Sequence, residues 1–392
     1  MFKLINSELG VCASNGFFAD GISAGLKLNN AFDMAFIYSQ TPCEIASNFT
    51  TNKMTAAPIR HFRAKENFQT NFVLINAKNA NAMTGKAGVE DINEILLHCD
   101  SKVINPVMSS TGVIGVRLPK EKIIDGMKLF QLDNKNPSNA AKAIMTTDSF
   151  SKEIAYKVEL ADGTSFNIGA MAKGAGMINP AMATMLCFIT TDAQVSKEEM
   201  QEILDECVKT TFNAASVDGD TSTNDTVMLL SNATSGAYDK EAFTDALHRI
   251  MLFLAREMVK DGEGATKLVT YKVTGAKDDK EAEAVAKALS DSLLVKTALY
   301  GEDPNWGRIA STVGAAGVDA SEETLSISFD DLCVYENGKL LFDSSMEESA
   351  SKVMKKDTFT ISCDLGISDG KFTSFGCDLG YEYVKINADY RT

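Results

Sequence analysis

The hydrophobic positions follow two periods, one helical and one of strands. Met200, Ile203, Leu204, Cys207 and Val208 recur at helical spacing behind Ser196-Lys197-Glu198-Glu199, a capping box that marks a helix start. Phe243, Leu247, Ile250, Met251 and Leu254 predict a second helix that ends near Gly262. Val285, Ala286 and Leu289 predict a third over Lys280 to Leu294, and Ile92, Ile95, Leu96 and Cys99 share a face of another. Strand signals lie between them. Phe72 to Ile75 and Met185 to Ile189 are short buried runs, and Leu268 to Val273 is a further strand. Tyr156 to Leu160 and Thr164 to Ile168 flank Asp162-Gly163, while Leu332 to Tyr335 and Leu340 to Phe342 flank Asn337-Gly338, both hairpin patterns. The stretch from Thr358 to Ile386 is expected to be strand-rich.

Hairpin-paired strands with helices between them predict an α+β fold rather than a doubly wound parallel sheet. No Gly-x-Gly-x-x-Gly follows a strand, which removes support for a dinucleotide fold. At 392 residues the chain is long enough for two lobes, with a boundary expected near 190–200, where Thr191-Asp192 gives way to the capped helix.

Charge narrows the partners. A formal net charge of −15 argues against nucleic acid and anionic membranes, which reward basic patches. No run is long and apolar enough to span a bilayer, and Met1 to Glu8 lacks a signal-peptide core, so a cytoplasmic location is expected. The eight cysteines form no Cys-x-x-Cys pair, so neither a disulfide scaffold nor structural zinc is expected, and no cofactor or metal is assigned. Cys187 and Cys207 read as small core residues. Of the three histidines, His61 and His98 stand apart from any Ser or Cys motif and His248 lies on a helical pattern. A nucleophile in this chain therefore has to find its base elsewhere.

Thr184 offers one. Asn179-Pro180-Ala181-Met182-Ala183 reads as a loop, and Met185 to Ile189 as a buried strand. A cut between Ala183 and Thr184 would bare an α-amine with a pKa of about 7.7–8.0 beside the Thr hydroxyl, so one residue would supply nucleophile and base. Spacing alone equally allows a Thr that merely begins a strand.

The wider pattern bears on that choice. The stretch Gly169-Ala170-Met171-Ala172-Lys173-Gly174-Ala175-Gly176 through Thr184-Met185-Leu186 resembles the processing-site signature of the glutamate N-acetyltransferase / ornithine acetyltransferase family of arginine biosynthesis. Ser110-Thr111-Gly112-Val113-Ile114-Gly115 is similar to the family's oxyanion-hole loop. Met145 to Asp148, Val217 to Asp225, Asp261 to Lys267, Asp303 to Arg308 and Ile386 to Thr392 match further blocks in the family's order. Members often carry Asn where Ala181 stands, a departure confined to the loop.

The resemblance implies a layered α-ββ-α sandwich with a second C-terminal lobe. It would be built from an α chain of residues 1–183 and a β chain of 184–392, expected to assemble as α2β2. It implies transfer of an acetyl group from N2-acetylornithine to glutamate through acetyl-Thr184, with Thr111 and Gly112 as the oxyanion hole. Thr147, Lys173, Glu263, Asn387 and Thr392 match substrate-contact positions. Acetyl-coenzyme A as a further donor is left open. Two other classes stay in view: a self-cleaving amidohydrolase or aminopeptidase, in which water resolves the acyl-Thr, and an uncleaved small-molecule-binding α/β protein. Asp218-Gly219-Asp220 fails as a calcium loop, because position six is Thr223 rather than Gly. Lys173-Gly174-Ala175-Gly176 lacks the Walker pattern of a phosphate cradle.

Overall fold

The computed structural model describes residues 2–179 and 185–389. Among them nine strands build one bent sheet: β1 (Phe2–Leu4), β2 (Phe17–Ile22), β3 (Met34–Phe49), β4 (Thr70–Asn76), β5 (Val107–Ser110), β6 (Lys152–Glu159), β7 (Ser165–Lys173), β8 (Leu186–Thr191) and β9 (Thr226–Ser231). Their order is β1-β6-β7-β8-β9-β3-β4-β5, with β2 also paired to β3.

The bend lies in β3. Its first half pairs with β2 and β4, and its second half with β9. Between Tyr38 and Cys43 the register slips. Pro42 lies in this gap, where a residue without an N–H cannot continue the ladder. The two halves share an inner core that includes Phe17, Ile37, Val73, Met171, Phe188 and Met228. Strand alternation sorts the remaining side chains. In β8, Leu186 and Phe188 join this inner core, while Cys187 and Ile189 join an outer one with Met200, Leu204, Leu247 and Met251. Those partners come from helices Lys197–Thr210 and Lys240–Lys260. Across the molecule, Ile92, Ile95 and Ile123 from helices Gly85–Leu96 and Lys120–Met127 pack on Phe36, Phe72 and Leu74. The layers therefore read helix, sheet, sheet, helix.

A second lobe follows. Its six strands are β10 (Leu268–Ala276), β11 (Ser326–Phe329), β12 (Leu332–Glu336), β13 (Lys339–Leu340), β14 (Thr358–Asp364) and β15 (Gly370–Cys377), in the order β13-β12-β11-β14-β10-β15. Helix Asp279–Asp291 contributes Val285, Ala286 and Leu289 to the core of this sheet.

Local signals account for many of these elements. The Ser196 hydroxyl accepts from the Glu199 N–H at 3.3 Å and the Asp239 carboxylate from Ala242 at 2.8 Å. Each such cap is worth about 1 kcal/mol. Both expected hairpins form, with Glu159 opposite Ser165 and Glu336 opposite Lys339.

Three expectations change. The helix expected to reach Leu294 stops at Asp291, because Ser292 is extended and its hydroxyl caps the next helix, Leu293–Tyr300, by accepting from Val295 at 3.3 Å. The lobe boundary falls between β9 and β10 rather than at 190–200, since β8, β9 and the capped helix all belong to the first lobe. The C-terminal stretch is strand only through β15, after which Tyr381–Asp389 is helical.

Candidate active site

The site is built where strand ends converge. β4 and β5 run parallel and stop together at Asn76 and Ser110. The chain beyond β5 turns through Thr111 and Gly112. Asn76 fixes this turn: its carbonyl accepts from the Thr111 N–H at 3.0 Å, and its side chain accepts from the Ser110 hydroxyl at 2.6 Å. Gly112 has φ +133°, and a Cβ there would lie 2.2 Å from the Lys78 carbonyl carbon. Only glycine fits such a close backbone approach. From the other side, the Asn224 amide donates to the carbonyls of Ala80 and Ser110 at 2.6 and 2.8 Å.

In the neighbouring half of the sheet, Lys173 ends β7 opposite Leu186 of β8, and Leu186 in turn lies beside Thr226 of β9. These ends surround a cavity of about 310 Å³. Thr111, Gly112, Thr147, Lys173, Glu263 and Asn387 all line it, as do Asp218 and Tyr383. The six described residues that the sequence singled out are thus brought to one place, although they span positions 111 to 387. Thr184, Ala183 and Thr392 lie outside the described residues.

The electrostatics centre on buried charge. Lys173 is only 2% exposed, and its ammonium donates to the Thr111 hydroxyl oxygen at 3.4 Å. That contact leaves the hydroxyl proton of Thr111 free to donate elsewhere. Burial pushes the Lys173 pKa down, and Asp148 opposes the shift. The Asp148 carboxylate accepts from Lys152 at 2.9 Å, from the Gly174 N–H at 2.6 Å and from the Thr146 N–H at 3.0 Å. Burial would raise its pKa, but Lys173, Lys152 and the backbone donors outweigh it and hold the value at about 2. Lys152 also donates to Asp261 at 2.6 Å, and Asp261 accepts from Ser149. Two lysines and two aspartates therefore balance one another beneath the cavity.

Part of the lining is acidic. Asn387 donates to the Glu263 carboxylate at 2.7 Å. A Cβ on Gly176 would lie 2.5 Å from that carboxylate, so glycine there makes room for it. Asp218 accepts from the N–H groups of Met177 and Ile178 at 2.6 and 2.9 Å and from the Tyr383 hydroxyl at 3.2 Å. Burial raises its pKa.

Met185 leads directly into β8. Its N–H donates to the Asp225 carboxylate at 3.2 Å, and its carbonyl accepts from Thr226 at 3.0 Å. Asp225 is wholly buried, which pushes its pKa well above the ordinary carboxylate range.

In the sequence Asp225 stands only at the end of the matched block Val217 to Asp225, and Lys152 and Tyr383 have no assigned role. The alternation of β6 would have placed Lys152 on a buried face, which is a signal for a paired charge. Tyr383 lies on a helix that contributes no buried residue, so no periodicity marks it. Among the described residues no cluster of three or more His, Cys, Asp or Glu could hold a metal ion, and no helix is long and apolar enough to cross a membrane.

Comparisons with known proteins find close matches along the chain. The model of the ArgJ family matches residues 18–392. The arginine biosynthesis bifunctional protein ArgJ of Wolinella succinogenes is 61% identical over 396 residues, covering 100% of both chains. The glutamate N-acetyltransferase of Methanocaldococcus jannaschii is 43% identical over 403 residues, covering 98% of each. The crystal structure of ArgJ from Bacillus halodurans is 39% identical, with a TM-score of 0.48 over 51% of this chain and 97% of that one.

Proposed function

The chain belongs to the ArgJ family and is an acetyltransferase of arginine biosynthesis, and from that premise we propose that it moves an acetyl group from N2-acetylornithine to glutamate through an ester on Thr184. The observation that carries the reading is the single cavity lined by Thr111, Gly112, Thr147, Lys173, Glu263 and Asn387.

The proposal begins with maturation. The Thr184 hydroxyl attacks the Ala183 carbonyl, the amide becomes an ester by N→O shift, and water hydrolyses it. Residues 1–183 and 184–392 result. The new α-amine then takes the hydroxyl proton as Oγ attacks the acetyl carbonyl of N-acetylornithine. Negative charge develops on the carbonyl oxygen, where the Thr111 hydroxyl and the Gly112 N–H donate to it. Lys173, already donating to the Thr111 oxygen, strengthens that hydroxyl as a donor. The C–N bond breaks, the α-ammonium returns its proton to the leaving amine, and ornithine departs. Glutamate's neutral α-amine attacks the ester in the reverse sense and leaves as N-acetylglutamate.

Charge sorts the substrates. The Glu263 carboxylate, held by Asn387, suits the side-chain ammonium of ornithine, and Lys173 and Thr147 suit a carboxylate. Thr392 is assigned a substrate contact by the same reading. An α2β2 assembly and a cytoplasmic location are further parts of it, and acetyl-coenzyme A as a second donor stays open. Native mass and an assay with acetyl-coenzyme A plus glutamate would decide the first and the last.

The central test is intact mass spectrometry before and after incubation with acetylornithine. Two fragments are expected, with one acetyl mass added to the fragment that begins at Thr184. Thr184→Ala should give one uncut chain without transfer. An uncut wild-type chain that turns over, or release of acetate in place of acetylglutamate, would overturn the reading.

A further inference from the structure

The second lobe's sheet turns one face towards the first lobe. Along β10, strand alternation sends Val269, Tyr271 and Val273 into the second lobe's own core and Leu268 into the first lobe's. Phe375 of β15, opposite Thr270, joins Leu268 there. Lys272, opposite Thr373, lies on that same face. A lysine where two lobes meet runs against the pattern, because charge is seldom kept at such a place without a partner. Lys272 is nevertheless exposed, since the lobes part around it.

The gap is a cleft of about 660 Å³. The first lobe supplies His248 and Leu252 from helix Lys240–Lys260, and Lys209 from the end of helix Lys197–Thr210. Leu252, Val273, Phe372 and Phe375 are buried or half-buried and form an apolar floor. Lys209, Lys272, Lys280 and Lys371 are exposed and form its rim. None of these four ammonium groups has an ion-pair or hydrogen-bond partner among the described residues. Two acids also line the cleft, and both are engaged. Glu283 pairs with Lys287 at 2.5 Å, and Asp279 accepts from the Lys371 N–H at 2.8 Å. The local balance is thus positive on a chain whose net charge is −15.

Small-molecule sites favour such places: concave, mostly apolar, between lobes, and about 300–1,000 Å³ in volume. The cleft shares no lining residue with the catalytic cavity. Lysine meets phosphate as a point charge from many directions, whereas arginine's planar fork is the match for a carboxylate. No arginine lines the cleft.

We propose that the cleft between the lobes is a second ligand site, which takes an organic phosphate of the nucleoside diphosphate kind. The phosphates lie among Lys209, Lys272, Lys280 and Lys371, and the base and sugar cover the apolar floor. This site stands independently of the acetyl transfer assigned under Proposed function.

Calorimetry on the full chain tests it, with ADP as the probe and inorganic pyrophosphate and adenosine as its two halves. ADP should bind with a Kd below about 1 mM at low salt, and each half at least about tenfold more weakly. Raising the ionic strength to 1 M cuts the Debye length to about 3 Å and should weaken ADP binding at least about tenfold. Lys272→Ala combined with Lys371→Ala removes two exposed, unpaired side chains, so the melting temperature should hold while the Kd for ADP rises at least about tenfold. Saturating acetylornithine should not displace ADP. General attraction would not explain a positive result, since the chain as a whole repels a polyanion. Absence of ADP binding at millimolar concentration, or an unchanged Kd in the folded double variant, would overturn the proposal. So would pyrophosphate binding as tightly as ADP, which would leave the apolar floor without a part. Displacement by acetylornithine, with the double variant unaffected, would move ADP to the catalytic cavity and overturn it too.

Discussion

Gly112→Ala tests the proposed oxyanion loop most sharply. The added Cβ would meet three backbone atoms: the Lys78 carbonyl carbon at 2.2 Å, the Asn79 nitrogen at 2.5 Å and the Lys78 Cα at 2.5 Å. Carbon contacts are comfortable at about 3.5–4.0 Å, so the overlap exceeds an ångström. None of the three atoms belongs to a flexible side chain, and φ of +133° is itself costly for an L-residue. Overpacking and backbone strain cost about 1–3 kcal/mol each. The turn relieves both only by moving, and movement takes the residue-112 N–H away from the position that the proposed mechanism gives the oxyanion. Loss of one such donor costs about 2.7–4 kcal/mol, or roughly 10²–10³ in kcat. The assay is acetylglutamate formation from acetylornithine and glutamate, with intact mass to score maturation and a thermal melt to score folding. Gly115→Ala is the internal control. It changes the same loop at φ +85°, but its Cβ meets nothing within 4 Å. It should cost about 1 kcal/mol of stability and leave kcat nearly unchanged. A Gly112→Ala enzyme with kcat within threefold of wild type and an unchanged melting temperature would refute the argument.

Lys173→Met keeps most of the buried volume but removes the donor to Thr111, so kcat should fall at least tenfold. Unchanged turnover would show that Thr111 needs no support. Deleting residues 381–392 removes Tyr383 and Asn387 from the cavity wall and should raise KM for acetylornithine at least tenfold, with a smaller effect on kcat; an unaltered KM would remove that helix from the site. His61 gives a pH prediction. Its pKa is pushed down to about 4, first by burial and then by Lys65, against 6.5 in the unfolded chain. The folded state therefore binds fewer protons than the unfolded state between those values. Its contribution is intact above pH 6.5 and is lost as pH falls towards 4, by about 3 kcal/mol in all. His61→Leu should flatten the fall in melting temperature over that window, and parallel curves would exclude His61 as the cause.

The sequence carried some of this better than the rest. Elements with a local cause were legible: the Ser196 cap, the Asn337-Gly338 turn and the apolar runs of β4 and β8. The bend of β3 was not, because folding one strand across two half-sheets depends on partners far away in sequence, Thr70 on one side and Ser231 on the other. Nor was the helix Tyr381–Asp389, which contributes no buried residue and so shows no apolar stripe. The site divides in the same way. Thr111, Gly112, Lys173 and Glu263 stood in motifs long enough to be matched. The balance of Lys152 between Asp148 and Asp261 joins residues 109 positions apart and has no local signature.

The pairing of β7 with β8 has a consequence for how such a protein can be inherited. Six rungs, from Ile168 opposite Thr191 to Lys173 opposite Leu186, stitch together the strands on either side of the proposed cut. Made apart, each piece would bare a raw flank of apolar ribbon, ready to zip onto any stray strand. The two would have to be born joined, and a genome that split them into separate cistrons would court insolubility unless both products met at once.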